Sequence, residues 1–421
     1  MMDTTTEQHI EIIPPKLAVK AMRDSGYRNT AHALAELIDN SVQAEASLIE
    51  VFSSERREQI NYRERRRIKE IAVLDNGCGM DAHVLRMALQ FGNGTHLHDR
   101  TGIGRFGMGL PNASISQCCR IEVWTWQNGP QNALHTYLDV NEVESGTLRS
   151  VPLPKHDPLP DVWKMLSQGI GESGTLVLWK EFDEHRLTWK SARATLQNTE
   201  YLVGRMYRKF LNKGKLAIRL VALEDNVSTY EQFARVNDPL YLMTPSSTPA
   251  PYDKTPMFQR WGEQDQEFKV HWNDTTHTVV VRISWAKPDT VPADGTNRGD
   301  KPYGKHAAKN IGVSIVRAGR ELDLDASWAI GYDPTERWWG IEVEFPPGLD
   351  EVFGVTNNKQ SATVFSHMAQ FDWKTEANPG ESFIDLKERL IAEGDPKVEL
   401  IDIVQYIRDQ LSNVREVLSI E

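Results

Sequence analysis

The chain is poor in cysteine: Cys78, Cys118 and Cys119 are its three in 421 residues. That is too few for a disulfide framework, and the spacing is not that of zinc ligands, so a reducing, cytoplasmic setting is expected. It also lacks any apolar run long enough to cross a bilayer. The opening "MMDTTTEQHIEIIPP" has neither the basic start nor the apolar stretch of a secretory signal. No membrane partner is expected. Positive charge is not in surplus either. A formal net charge of −11 excludes a surface that is basic throughout, though not a local patch. Internal repeats and low-complexity tracts are missing as well.

What is present is an ordinary globular composition, 40% hydrophobic and 25% charged, on a chain too long for one compact core. The first half alternates helical and strand patterns. A helix is expected over 31–44, strands near 47–53 and 69–74, a short helix ending at Gly92, and a glycine-rich loop to Gly109. A helix from "LPNASISQCC" and strands "RIEVWTW" and "TLVLWKEF" follow. "RATLQNTEYLVGRMYRKFLNKGK" reads as one long helix closed by Gly214. "LAIRLVAL" then opens a second, strand-rich unit near Lys213, and the last thirty or so residues read as helices, the final one with a stripe from Leu400 to Leu418.

Within "ALAELIDNSVQAEA", Leu34, Leu37, Ile38 and Ser41 form a core-facing stripe, while Glu36, Asp39, Asn40 and Gln43 form a second one. Glu36 and Asn40 are one turn apart and therefore side by side. "VLDNGCGMD" puts Asp75 at the end of an apolar strand, followed by Gly77, Gly79 and Met80. An aspartate there can accept a hydrogen bond from an exocyclic amine, and the glycines let a flat base approach the backbone. "TGIGRFGMGLPNAS" supplies Gly104, Gly107 and Gly109 before a helix, where backbone N–H groups and the helix dipole can cradle phosphates. It is neither a Walker loop nor a Rossmann turn. "ESGTLVLW" sets Thr175 at the head of a strand.

In this order and spacing, the four motifs resemble the GHKL ATPase superfamily of gyrase, ninety-kilodalton heat-shock chaperones, histidine kinases and MutL. The wording "RDSGYRNTAHALAELIDNSVQAEA" is most similar to the MORC ATPases, prokaryotic members included. The resemblance implies an α+β fold: a Bergerat-type ATP-binding sandwich of a mixed sheet and helices, then an α+β transducer domain and C-terminal helices. The expected bounds are 1–212, 213–370 and 371–421. It implies ATP and Mg²⁺ as cofactors, Glu36 as the base that activates water, and Asn40 as the Mg²⁺ ligand. Asp75 would bind the adenine amine, with Gly77, Gly79, Met80 and Thr175 around the base. Gly104, Arg105, Phe106, Gly107, Met108 and Gly109 would contact the nucleotide, and 93–106 would form a lid. Lys359, in "EVFGVTNNKQSATVF", would reach the γ-phosphate.

The same resemblance implies an ATP-dependent homodimer that acts as a clamp, with DNA as its client. The setting would be chromosome maintenance or defence against foreign DNA. An ATP-gated scaffold for an accessory protein partner, or a chaperone-like module, is the rival expectation. The stretch "ERREQINYRERRRIKE" carries seven basic and four acidic residues and belongs on a hairpin. It is either a solvated surface or a phosphate-backbone contact.

Overall fold

A computed structural model describes residues 14–24, 26–91, 109–183, 185–356 and 360–420. They form two compact units. The first takes in the described residues up to 199 together with 218–233; the second holds 200–217 and the residues from 234 onward.

The first unit opens with α1 (Pro15–Asp24) and α2 (Thr30–Gln43). The Asn29 side chain caps α2, its Oδ1 accepting the His32 N–H at 3.0 Å. β1 (Leu48–Ile60) and β2 (Arg63–Asp75) then make a long hairpin, followed by α3 (Ala82–Ala88) and α4 (Gly109–Gln117). β3 (Cys118–Trp126), β4 (Leu134–Asp139), α5 (Val140–Glu144), β5 (Lys155–His156), α6 (Asp161–Leu166) and β6 (Gly174–Phe182) come next. α7 (Ala192–Met206) passes into the second unit at Glu200 and α8 (Arg208–Asn212) belongs to that unit, before the chain returns to the first with β7 (Ala217–Glu224) and β8 (Val227–Phe233). The eight strands form one sheet in the order β5-β4-β3-β6-β2-β1-β7-β8. The apolar run "IAVL" of β2 is buried between β1 and β6, which is why it reads as a continuous rather than an alternating strand.

The second unit contains β9 (Phe258–Arg260), β10 (Gln266–Trp272), β11 (Thr275–Ala286), α9 (Pro302–Ala307), β12 (Val313–Arg317), β13 (Arg320–Asp325) and β14 (Trp339–Phe345). Short helices α10 (Asp350–Phe353), α11 (Thr363–His367) and α12 (Trp373–Glu376) precede α13 (Phe383–Glu393) and α14 (Val398–Ile420). Its sheet runs β10-β11-β14-β12-β13, with β9 against β11. The whole expected stripe of α14 is buried, from Leu400 to Leu418, in the same core as Val281, Ile341 and Val343 of the sheet. α13 carries a capping box between Ser382 and Asp385 and ends at Gly394 in the left-handed conformation.

Two features depart from the sequence expectation. "LAIRLVAL" becomes β7 and adds to the first sheet, with Val221 and Leu223 packed in one cluster with Phe52 and Leu74. Strand periodicity does not say which sheet a strand joins. The long helix after Arg193 is interrupted at Tyr207 (φ −106°, ψ 15°), giving α7 and α8; Gly214, at φ +65°, closes the latter as expected.

The break sets Arg208 inside the second unit, 1% exposed. Its guanidinium donates to Glu321 at 2.9 Å, to Glu342 at 2.5 Å and to Ser314 at 2.8 Å. Lys209 and Arg282 also reach Glu342, at 2.8 and 2.6 Å. Burial alone would push the Glu342 carboxyl upward, but Arg208, Lys209 and Arg282 outweigh it and bring it down to about 2. A carboxyl lowered on folding from an ordinary 4.5 adds stability above that value and loses it as the pH falls toward about 2. We expect Arg208→Met to cost about 3–5 kcal/mol in urea unfolding of the full chain, because it strands buried carboxylates. A cost below about 1 kcal/mol would show that the network is not holding this unit together.

Candidate functional site

The site is built on α2. Glu36 is 6% exposed and Asp39 is 0% exposed, while Asn40 is half-buried and Gln43 is exposed. The polar stripe is thus not one open face: Asp39 is taken into the interior, and Glu36 and Asn40 remain as the neighbouring pair. The first residue of α4 closes on Glu36. A Cβ at Gly109 would lie 1.9 Å from Glu36 Oε1, so any larger residue at the α4 N-terminus would force the Glu36 side chain to move.

Asp75 ends β2, buried, opposite Thr175 of β6. Its Oδ2 accepts the Ser41 hydroxyl at 2.7 Å and its Oδ1 accepts the Gly77 N–H at 2.9 Å. Burial pushes its pKa above the ordinary carboxylate value, and the hydrogen bonds from Ser41, Gly77 and Thr175 pull partly back. Thr175 Oγ1 lies 3.0 Å from Thr125 Oγ1 of β3, and the Met80 N–H donates to that same Thr125 oxygen at 2.9 Å. Asp75, Thr175, Thr125 and Met80 therefore share one end of three adjacent strands. Asn76 locks the turn beside them, its Oδ1 accepting the N–H groups of Ser47 and Leu48.

Close approach explains the glycines of this turn, but the approaching groups belong to the protein. A Cβ at Gly77 would lie 2.7 Å from the Ala44 Cβ, and one at Gly79 would lie 2.1 Å from the Trp126 carbonyl oxygen. Gly79 also holds φ +66°. The pair docks the turn on the end of α2 and on β3.

Glu36, Asn40, Asp75, Gly77, Gly79, Met80, Gly109 and Thr175 are thus placed on α2, the β2 turn, β6 and the start of α4. Gly104, Arg105, Phe106, Gly107, Met108 and Lys359 lie outside the described residues, as does the expected lid. Ser41 and Thr125 were not among the expected site residues. Ser41 sits on the apolar stripe of α2, and its only sequence signal is a hydroxyl among leucines and isoleucine. Thr125, in "WTW", reads simply as a strand residue.

Residues 27–171 match the family model described as histidine kinase-, DNA gyrase B- and HSP90-like ATPase. The chain carries a GHKL ATPase domain, and that domain is MORC-like. ATPase MORC2B of Mus musculus is 32% identical over 124 residues, and ATPase MORC2 of Homo sapiens is 32% identical over 123. Each alignment covers 29% of this chain and 11% of the relative, so the chain spans only a small part of the length of these proteins. A solved structure titled "Crystal Structure of N terminal domain of a DNA repair protein" covers 81% of this chain and 90% of its own, with 12% identity and a TM-score of 0.45. That likeness is too low to carry fold or function across. No helix among the described residues is long and apolar enough to cross a membrane.

An Asp75→Asn side chain can keep the Ser41 and Gly77 bonds, its oxygen accepting from Gly77 and its amide donating to Ser41. A carboxyl whose pKa rises on folding costs stability once the pH passes its unfolded value, so the neutral amide removes that cost at pH 7. We expect the Asp75→Asn protein to melt at or above the parent's temperature by calorimetry near neutral pH. A lower melting temperature would mean that the charge is stabilised by groups beyond those named.

Proposed function

We propose that the first unit is a Mg²⁺-dependent ATP hydrolase. The observation that carries this reading is the approach of Gly109 to Glu36, with Asn40 one helical turn further along α2, and the bond from Ser41 of the same helix to Asp75. In it, Asp75 accepts the adenine amine, beside Gly77, Gly79, Met80 and Thr175. By the family resemblance, Gly104, Arg105, Phe106, Gly107 and Met108 would contact the phosphates together with Gly109, the first residue of α4.

The donor set suits magnesium: a neutral amide oxygen at Asn40, one turn from a carboxylate left to take a proton. Mg²⁺, when bound, would neutralise triphosphate charge and align its oxygens. Glu36 orients the attacking water and removes its proton; partial burial against Gly109 fixes its direction. Lys359 offers a point charge for the γ-phosphoryl group. These last roles, like those of 104–108, come from the family resemblance.

At the level of the whole protein, ATP would join two copies into a clamp on DNA, and hydrolysis would release them. Chromosome maintenance or defence against foreign DNA would be its setting. We expect Glu36→Ala to keep binding a non-hydrolysable ATP analogue in calorimetry while its turnover falls by about 10²–10⁴. Sizing with the analogue, with and without DNA, reads the dimer and the client together. Undiminished turnover in Glu36→Ala would remove the catalytic assignment, and ATP-dependent capture of a protein partner without DNA retention would favour a scaffold.

A further inference from the structure

We propose that one face of the β1–β2 ribbon is a contact for the phosphate backbone of duplex DNA, made by Arg56, Arg63 and Arg65 with Tyr62 at the tip. The inference rests on the DNA client in the reading above. β6 pairs with β2 only from Glu70 to Asp75, so beyond Glu70 the hairpin has no β6 neighbour. Cross-strand partners point to the same side of a two-stranded ribbon. The register therefore sorts the charges of this stretch into two faces.

One face holds the pairs Glu55 with Ile68, Arg57 with Arg66, and Gln59 with Glu64. It is neutralised within the fold: Glu224, at the end of β7, meets Arg57 at 2.6 Å and Arg66 at 3.3 Å, and Glu64 meets Arg57 at 3.6 Å. The other face holds Arg56 with Arg67, Glu58 with Arg65, and Ile60 with Arg63. Glu58 is its one acid, and Lys69 is paired with it. Arg56, Arg63 and Arg65 are exposed, and their side chains make no hydrogen bond or ion pair among the described residues. A chain of net charge −11 thus carries an unpaired row of guanidinium groups along one face of its β1–β2 hairpin.

The tip points the same way. Tyr62 is 100% exposed and holds φ +65° in the two-residue turn, a position that ordinarily goes to glycine or asparagine. Neither burial nor turn geometry accounts for an aromatic ring there. Planar guanidinium forks suit phosphate oxygens, and Arg63 and Arg65, about 6.7 Å apart along the strand, meet a row of like charges better than a single acid. Duplex DNA supplies such a row without interruption.

The test titrates the full chain, without nucleotide, into a labelled duplex DNA across a salt series, following anisotropy. In the Arg56→Gln, Arg63→Gln, Arg65→Gln protein, the slope of log affinity against log salt is expected to fall by about 2.7, three contacts at about 0.9 each. The Arg57→Gln, Arg66→Gln protein should keep the parent's slope, and Tyr62→Ala should weaken binding without changing it. An unchanged slope in the triple variant, an equal fall in the double variant, or no binding by the parent at low salt would each overturn the proposal. A thermal melt checks that each variant is folded. Because no nucleotide is present, failure here leaves the hydrolase reading standing, and failure of that reading leaves this measurement interpretable.

Discussion

Three elements of the first unit converge on one carboxyl side chain taken out of water. Asp75 ends the most buried stretch of β2, and three elements meet on it: α2 through Ser41, the following turn through Gly77, and β6 through Thr175. Ionised carboxylates are costly to bury unless donors surround them. Here the donors are few and small, so the group keeps a raised pKa and a capacity to accept a further hydrogen bond. The rest of the turn serves this placement. Gly77 and Gly79 lack side chains so that the backbone can lie on Ala44 and Trp126, and Asn76 ties it to the start of β1.

The second unit treats buried charge in the opposite manner. Arg208 is surrounded by Glu321, Glu342 and Ser314, and Lys209 and Arg282 supply further positive charge to Glu342. Its carboxylates are driven down in pKa rather than up, and their lone pairs are used within the fold. A buried, tightly paired network of this kind resists the loss of either partner. Asp75 is left able to take a further donor, whereas Glu342 is held by three cations.

Much of this was legible in the amino-acid order, because local rules sufficed. The three-and-four spacing marks α2 and the whole buried stripe of α14, and the apolar run ending in Asp75 marks a central strand. What escaped depends on long-range partners. Ser41 looks apolar by position, and only the arrival of β2 makes its hydroxyl a donor to Asp75. The β7–β8 hairpin has ordinary strand periodicity, which carries no label for the sheet it joins. The break at Tyr207 follows from the burial of Arg208 among acids more than a hundred residues away, and no helix propensity foretells it.

The ribbon also contains a bulge, between Ser54 and Glu55, where Lys69 falls outside the one-to-one pairing. Below it, Ser54 faces Glu70; above it, Glu55 faces Ile68. The extra residue changes the parity of β2, so that Arg63, Arg65 and Arg67 lie on the side opposite Asp75 although all four numbers are odd. Insertions and deletions in this hairpin are consequently not equivalent. Homologues could lengthen or shorten it by matched pairs and keep the same side basic. A single added or lost residue in one strand would act like a frameshift, handing the arginines to Glu224.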